Sequence, residues 1–407
     1  MLDGQNKHEF LLARLTWKVD QSLTANSGLA RDYLMSGRRL DFWMLGGASI
    51  VFWAPLFVFQ SYFSEVERFT YYMSWVAFYL AYLVNYPHFI ASYKFAYVQG
   101  RKFITDNAFQ LLVVPVMVFG VLLYAFSNWG ELTQYSRIVE GINNVFSGLG
   151  LDTRLGQHKF LGPELMSLLV NFMFLTVGWH YAKQAFGCAM VYARYDGYPL
   201  ATAERNIIRY SLLSTWWVTW LNINCLAGSY KFYGLTIYRL NLPELWLQAS
   251  YTLFFVLWLA VIYILGVRYR QSGVLPSRNF LVPMLALLVW HIPLFSNPQY
   301  YYFLAFFHSL QYLPFVARRE MHIVQRTATE NHAWRMAIFI GALLCLGYVC
   351  FDLAPNSLDA VAASYQNYGA SVFMIAFLVF INIHHYFIDN VLWRFKHKEV
   401  RVLLLNE

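Results

Sequence analysis

Charge is what this sequence has least of. Only 13% of its 407 residues are Asp, Glu, Lys or Arg, where a soluble domain carries about 25%. That shortage excludes an ordinary hydrated globule, and 58% hydrophobic residues with a mean hydropathy of +0.41 point to a polytopic membrane protein. Cysteine is scarce as well. Cys188, Cys225, Cys345 and Cys350 lie in apolar runs with no metal-type spacing, as small buried hydrophobes do. The first forty residues are polar and charged, so no cleavable signal peptide is expected and the first apolar segment would act as the insertion signal. Motifs of soluble enzymes are missing too: there is no GxSxG, no P-loop and no HExxH. The net charge of +8 calls for no nucleic acid, because cytoplasmic loops of membrane proteins collect Lys and Arg.

What is present is a series of apolar stretches of about 20 residues, the length that crosses a bilayer. They fall at roughly 41–62, 70–97, 107–126, 164–192, 207–227, 248–267, 279–296, 299–317, 334–352 and 369–394. The fold class expected is therefore all-α, a polytopic transmembrane helix bundle of about ten spans with both termini cytoplasmic. Loop charge tests this topology. With the termini inside, 24 of the 30 Lys and Arg fall on cytoplasmic segments and six outside, the bias that the positive-inside rule demands. The chain then divides into a cytoplasmic segment, 1–39, a transmembrane domain, 40–396, and a cytoplasmic tail, 397–407. An interfacial amphipathic helix is expected at about Glu9 to Leu23. The longest external loop, about 127–163, has the makings of a short helix near Tyr135–Phe146. Pro293, Pro298 and Pro314 could break or kink the seventh to ninth segments. Placement in a bacterial inner (plasma) membrane, with the lipid bilayer as partner and room for a homo-oligomer or membrane complex, completes the expectation.

Inside these apolar runs lie ionisable groups, and such a group is a functional-site hypothesis by default. His88, His180, His308 and the pair His384–His385 sit on the second, fourth, eighth and tenth spans, which all run outside to inside. The next arginines follow His88, His180, His308 and His385 by 13, 14, 10 and nine residues. At 1.5 Å per residue the imidazoles then share one layer within about 8 Å in depth, in the cytoplasmic half. His291 is the odd one out, in the outer half of the seventh span.

Imidazole is the commonest neutral metal ligand, and a bundle core is a natural place for such a site. Each ligand needs its other ring nitrogen held. Asp389 stands at i+4 from His385, Gln184 at i+4 from His180, Gln311 at i+3 from His308 and Ser92 at i+4 from His88, each on its histidine's own helix face. An all-histidine set with one open position favours redox iron or copper, with zinc also an imidazole metal. The competing structural role is that buried neutral histidines simply tie helices together, with Asp389 an ion-pair partner of Lys183 or Lys94. Lys183 either snorkels to the cytoplasmic surface, the preferred reading, or meets an anionic head group.

The three histidine boxes of the membrane desaturases and hydroxylases are absent, since neither HxxxH nor HxxHH occurs. The phrases Tyr86-Pro87-His88, His180-Tyr181…Gln184, His308…Gln311-Tyr312 and His384-His385-Tyr386…Asp389…Trp393-Arg394 resemble those of bacterial polytopic membrane proteins with histidine-rich transmembrane motifs. In broader outline the chain resembles the membrane β-carotene dioxygenases of the Brp/Blh type. The likeness covers four short patches. It implies a non-haem iron oxygenase acting on a lipophilic substrate, with His88, His180, His308 and one or both of His384 and His385 as iron ligands. Asp389, Tyr386 and Tyr312 would then stand at the reacting centre. Gln184, Gln311 and Lys183 would support the cofactor, and Tyr93, Tyr181 and Trp179 would help shape a pocket open to the bilayer. The alternatives are a proton- or metal-ion-coupled transporter and a haem-binding subunit, the latter leaving two histidines unexplained.

Overall fold

A backbone in hydrocarbon can satisfy its polar groups only as helices or a closed barrel, and this chain takes the helical route. In the computed structural model the described residues are 33–35, 37–53, 55, 65–151, 155–291, 301–327, 331–363, 368 and 371–405. All belong to the second of two units, Asp32–Glu407. The interfacial helix expected at about Glu9 to Leu23 lies outside the described residues, as do Pro293 and Pro298.

Helix stands in the described part of every apolar stretch. The first segment, α1, opens as Arg38–Phe42, passes through the wide turn Trp43–Gly47 and continues to residue 53. The second, α2, joins Val66–Leu80 to Tyr86–Tyr97 through a π-helical turn, Ala81–Asn85. Then come α3 (Phe109–Ser127), α4 (Leu161–Tyr195), α5 (Thr202–Asn224), α6 (Glu244–Ser272), α7 (Arg278–His291) and α8 (Tyr301–Thr327). The ninth, α9, runs from His332–Tyr348 through a π turn, Val349–Leu353, to Ala354–Ala363, and α10 is Val372–Leu392. Strand is confined, among the described residues, to one hairpin, β1 (Ser229–Phe232) paired antiparallel with β2 (Leu235–Tyr238). The four cysteines are unbridged.

Five of these helices, α3, α4, α6, α9 and α10, are long and apolar enough to cross a membrane. Of the rest, α1 and α7 are too short in their described parts, and others carry polar groups that lower their hydropathy: α2 holds Asn85, His88 and Lys94, and α8 holds Arg318, Arg319 and Glu320. The five fall into two kinds. In α4 and α10 about 70% of the most apolar window is buried (72% and 67%), against 17–28% in α3, α6 and α9. So α4 and α10 form the centre, while the outer helices present Val116, Met117, Leu259 and Ile262 outward. Apolar faces of that extent need an apolar surround. At 1.5 Å per residue the 35 residues of α4 reach about 52 Å, and it packs on α3, α5, α7 and α10.

Two departures from regular helix position the site. Pro87 has no N–H and its ring crowds the carbonyl four residues back; the π turn Ala81–Asn85 just before it absorbs that misfit and leads into His88. In α1 the helix breaks at Gly46, whose φ is +152°. A Cβ there would stand 2.5 Å from the Ala286 Cβ of α7, so glycine is required by conformation and by contact. The carbonyls at the break find side chains: Ser49 Oγ donates to Gly46 O at 2.6 Å and Gln311 Nε2 to Leu45 O at 2.7 Å. By contrast Pro314 lies within the continuous run of α8.

The loop between α3 and α4 contains a helix, Arg137–Gly148, close to the one expected, started by Ser136. Glu164 accepts from the backbone N–H of Gly156 and His158, and His158 Nε2 meets Thr236 O at 2.9 Å. Lys398–Leu405 is a helix that buries Val400, Leu403 and Leu404, and Arg318 Nε donates to Leu403 O at 2.7 Å. Val, Leu and Leu at i, i+3 and i+4 give it one apolar face.

Candidate metal centre

Four helices each deliver one imidazole to a single point: α2 gives His88, α4 His180, α8 His308 and α10 His385. One ring nitrogen from each lies within 4.8 Å of the others, and all four residues are buried. A metal–nitrogen bond of about 2.1 Å puts ligands on opposite sides of an ion about 4.2 Å apart, so this spread is close to what one ion spans. His180 Nε2 and His308 Nε2 face each other at 3.0 Å. Ring centroids are 4.4 Å apart for His88 and His385, 4.7 Å for His180 and His308, and 5.0 Å for His180 and His385.

Asp389 joins them, one turn along α10. Its Oδ2 lies 3.5 Å from His385 Nε2, 3.8 Å from His180 Nε2 and 4.0 Å from His88 Nε2. Its Oδ1 accepts from the Tyr312 hydroxyl at 3.1 Å, and that hydroxyl accepts from Trp393 Nε1 at 2.7 Å and meets Ser92 Oγ at 2.8 Å. Tyr312 thus fixes the carboxylate with its second oxygen turned to the imidazoles.

Burial without partners shows what this arrangement is fit for. His88 Nε2, His308 Nδ1, both nitrogens of His385 and Asp389 Oδ2 are buried with no hydrogen-bond partner. A buried polar atom left unpaired costs about 1–3 kcal/mol. Lone pairs of His88, His385 and Asp389 converging on one cation would offset that cost. The buried four-histidine group can bind a metal ion.

Around the ligands the expected supports are partly rearranged. Ser92, expected to hold His88, instead meets Tyr312; His88 Nδ1 is held by Ser309 Oγ at 2.8 Å, and Ser309 donates to Asn85 Oδ1 at 2.6 Å. Gln184 and Gln311 support backbone rather than rings. Gln184 Nε2 donates to His308 O at 2.8 Å and Gln311 Oε1 at 3.1 Å, and Gln311 closes the break in α1. Long amides on one face reach the neighbouring main chain as readily as a ring. The ion pairs expected of Asp389 are not made: Lys94 pairs with Glu320 at 2.7 Å, and Lys183 donates to Asn390 Oδ1 and lies 4.4 Å over the Trp179 ring.

His384 does not join the cluster. Its Nδ1 meets the Tyr93 hydroxyl at 2.9 Å and its Nε2 lies 3.4 Å from that of Tyr97. One residue of helix turns the side chain by about 100°, so only one of two adjacent histidines can face the point. Tyr93 therefore serves His384, and not the cluster. Tyr181 stacks on His308 at 4.1 Å and Tyr386 on His180 at 4.9 Å, with the Tyr386 hydroxyl donating to Asn382 Oδ1 at 2.8 Å. His291 stands apart, its Nδ1 on Leu287 O at 2.7 Å. Asn85 and Ser309 are site residues that the sequence did not single out, and Trp393 stood only in the phrase that carries the resemblance. The available signal was a polar residue three before His88 and another directly after His308.

A cavity of about 390 Å³ opens at the cluster, with His180, Asp389, Tyr312 and Tyr386 among its lining. Comparison of the chain with protein-family models, with curated proteins and with solved structures found no match. Inference about the site rests on its own chemistry.

Proposed function

We propose that the protein is an integral membrane metalloenzyme of the non-haem iron oxygenase type, acting on a lipophilic substrate. On this reading it spans a bacterial plasma membrane ten times with both termini cytoplasmic, and His88, His180, His308 and His385 hold the iron. The observation that carries it is the convergence of those four buried imidazoles, from four helices, on a point that Asp389 also faces. Held in a mainly nitrogen set, ferrous iron supplies the activation of dioxygen. The chain's own residues do the rest. Ser309 and Asn85 fix the His88 ring, Tyr312 aims Asp389, and the Tyr181 and Tyr386 rings wall the imidazoles against water.

Haem fits less well. Two axial imidazoles could grip a porphyrin, yet the plane it would occupy is filled by the other two rings, 4.4–5.2 Å away. A transporter needs charged groups leading to the site from both sides, while the four cations that line the cavity, Lys183, Arg209, Arg394 and Lys396, lie at one part of it.

The test is oxygen uptake by iron-loaded protein in bilayer discs, with ascorbate present and carotenoids, quinones or fatty acids supplied. Uptake that depends on one lipid class and is abolished in His385→Ala supports the reading. Iron-loaded protein that takes up no oxygen with any class refutes the oxygenase activity.

A further inference from the structure

The cavity has two kinds of wall. Trp179, Phe186, Phe315 and Phe395 make much of it apolar, and His180 and Asp389 lie at one part of it. Four cations line another part: Lys183 on α4, Arg209 on α5, and Arg394 and Lys396 just past the end of α10. Asp389 is the sole carboxylate in the lining, and it faces the histidines. Among the described residues none of the four cations has a carboxylate partner. Two of them are instead held side by side by Asn390, whose side-chain oxygen accepts from Lys183 Nζ and whose carbonyl accepts from Arg394 Nε at 2.7 Å.

Arg209 and Lys396 are exposed at the rim of the cavity, while Lys183 and Arg394 are partly buried side by side, where two positive charges repel unless something anionic sits between them. Surface solvation alone does not explain the arrangement, because Lys183 is drawn over Trp179 at 4.4 Å, where it lines the cavity. A carboxylate or phosphate would accept charge-assisted hydrogen bonds from the lysine and a bidentate pair from an arginine. Low-dielectric walls would focus the field on it.

We propose that the cavity binds an anionic amphiphile, its carboxylate or phosphate head held by Lys183, Arg394 and Arg209 and its apolar chain directed to the histidine cluster. The inference rests on the proposed function only for what happens at the cluster; the binding itself needs no metal. The apolar wall distinguishes this ligand from a free inorganic anion.

Native mass spectrometry of the full chain, released from neutral detergent, tests it with dodecanoate, dodecyl phosphate, dodecanol, inorganic phosphate and phosphatidylglycerol as probes. The two single-chain anions are expected to bind at least about tenfold tighter than dodecanol, the scale of one charge-assisted bond. Lys183→Gln and Arg394→Gln should each lower dodecanoate affinity about tenfold and leave dodecanol binding and metal content as they were. Binding of phosphatidylglycerol as well would identify a bilayer lipid as the source; binding of dodecanoate without it would identify a free acid. Equal affinity for dodecanol, binding of inorganic phosphate as tight as that of dodecyl phosphate, or variants that bind dodecanoate unchanged would overturn the proposal. Repeating the titration on chelator-treated protein separates the two claims: anion binding that persists without metal stands even if the oxygenase reading falls.

Discussion

The hydroxyl of Tyr312 meets three polar groups, Asp389, Trp393 and Ser92, and so determines where the carboxylate points. Removing it in Tyr312→Phe keeps the ring and its packing but frees Asp389 to turn. Outer partners of metal ligands are commonly worth about 10–100-fold in affinity, and that loss is expected here in a competition titration with a chelator. Unchanged affinity would mean that Asp389 is positioned by something else. The pair His384 and His385 gives a sharper contrast. His385→Ala should abolish metal binding, whereas His384→Ala should leave the metal in place, because His384 is engaged by Tyr93 and Tyr97. Which of the two faces the cluster depends on rotation of α10 about its axis, and that rotation is set by packing against α2 and α4. For the same reason the sequence pointed to Ser92 where the structure uses Ser309. Neighbours at i+4 can be read along one helix, but a partner on another helix, 221 residues away in the case of Ser309, cannot.

At the scale of the element, α1 is the least regular helix near the site and the most informative. Its break at Gly46 exposes the Leu45 carbonyl, which Gln311 closes from α8, three residues from His308. In Gly46→Ala a Cβ would meet Ala286 at 2.5 Å while φ stays at +152°. Strain and overpacking of this kind cost about 1–3 kcal/mol each. Thermal unfolding in detergent should therefore shift down by several degrees, and a Tm equal to that of the unaltered protein would show that the break relaxes freely. Runs of apolar residues made the existence of the helices legible, since ten stretches of hydropathy have helix in their described parts. Their irregularities were less so. Proline was an evident signal, yet Pro314 lies within an unbroken helix and Pro87 is absorbed by a π turn before it. The Gly46 break carried no signal beyond a Gly-Gly pair, because what requires it is the approach of α7.

Over the whole molecule, two counts on the sequence make predictions, Lys and Arg by loop and histidines by depth. The first predicts that reporter fusions or labelled cysteines at both termini will report the cytoplasmic side. A terminus found outside would reverse the loop assignment and place the cationic end of the cavity in the wrong compartment. The second anticipated that His88, His180, His308 and one of the pair at 384–385 could share a layer, and these four do meet. Depth along a helix was readable because 1.5 Å per residue is fixed; lateral position was not, since it depends on which helices adjoin. The proposed function requires that these imidazoles bind one ion together. Elemental mass spectrometry of the purified protein beside His180→Ala, His308→Ala and His384→Ala measures that directly. The account predicts near-stoichiometric metal, iron foremost, retained in His384→Ala and lost in both of the other variants; folded protein without metal, or metal that survives His180→Ala and His308→Ala, would contradict it.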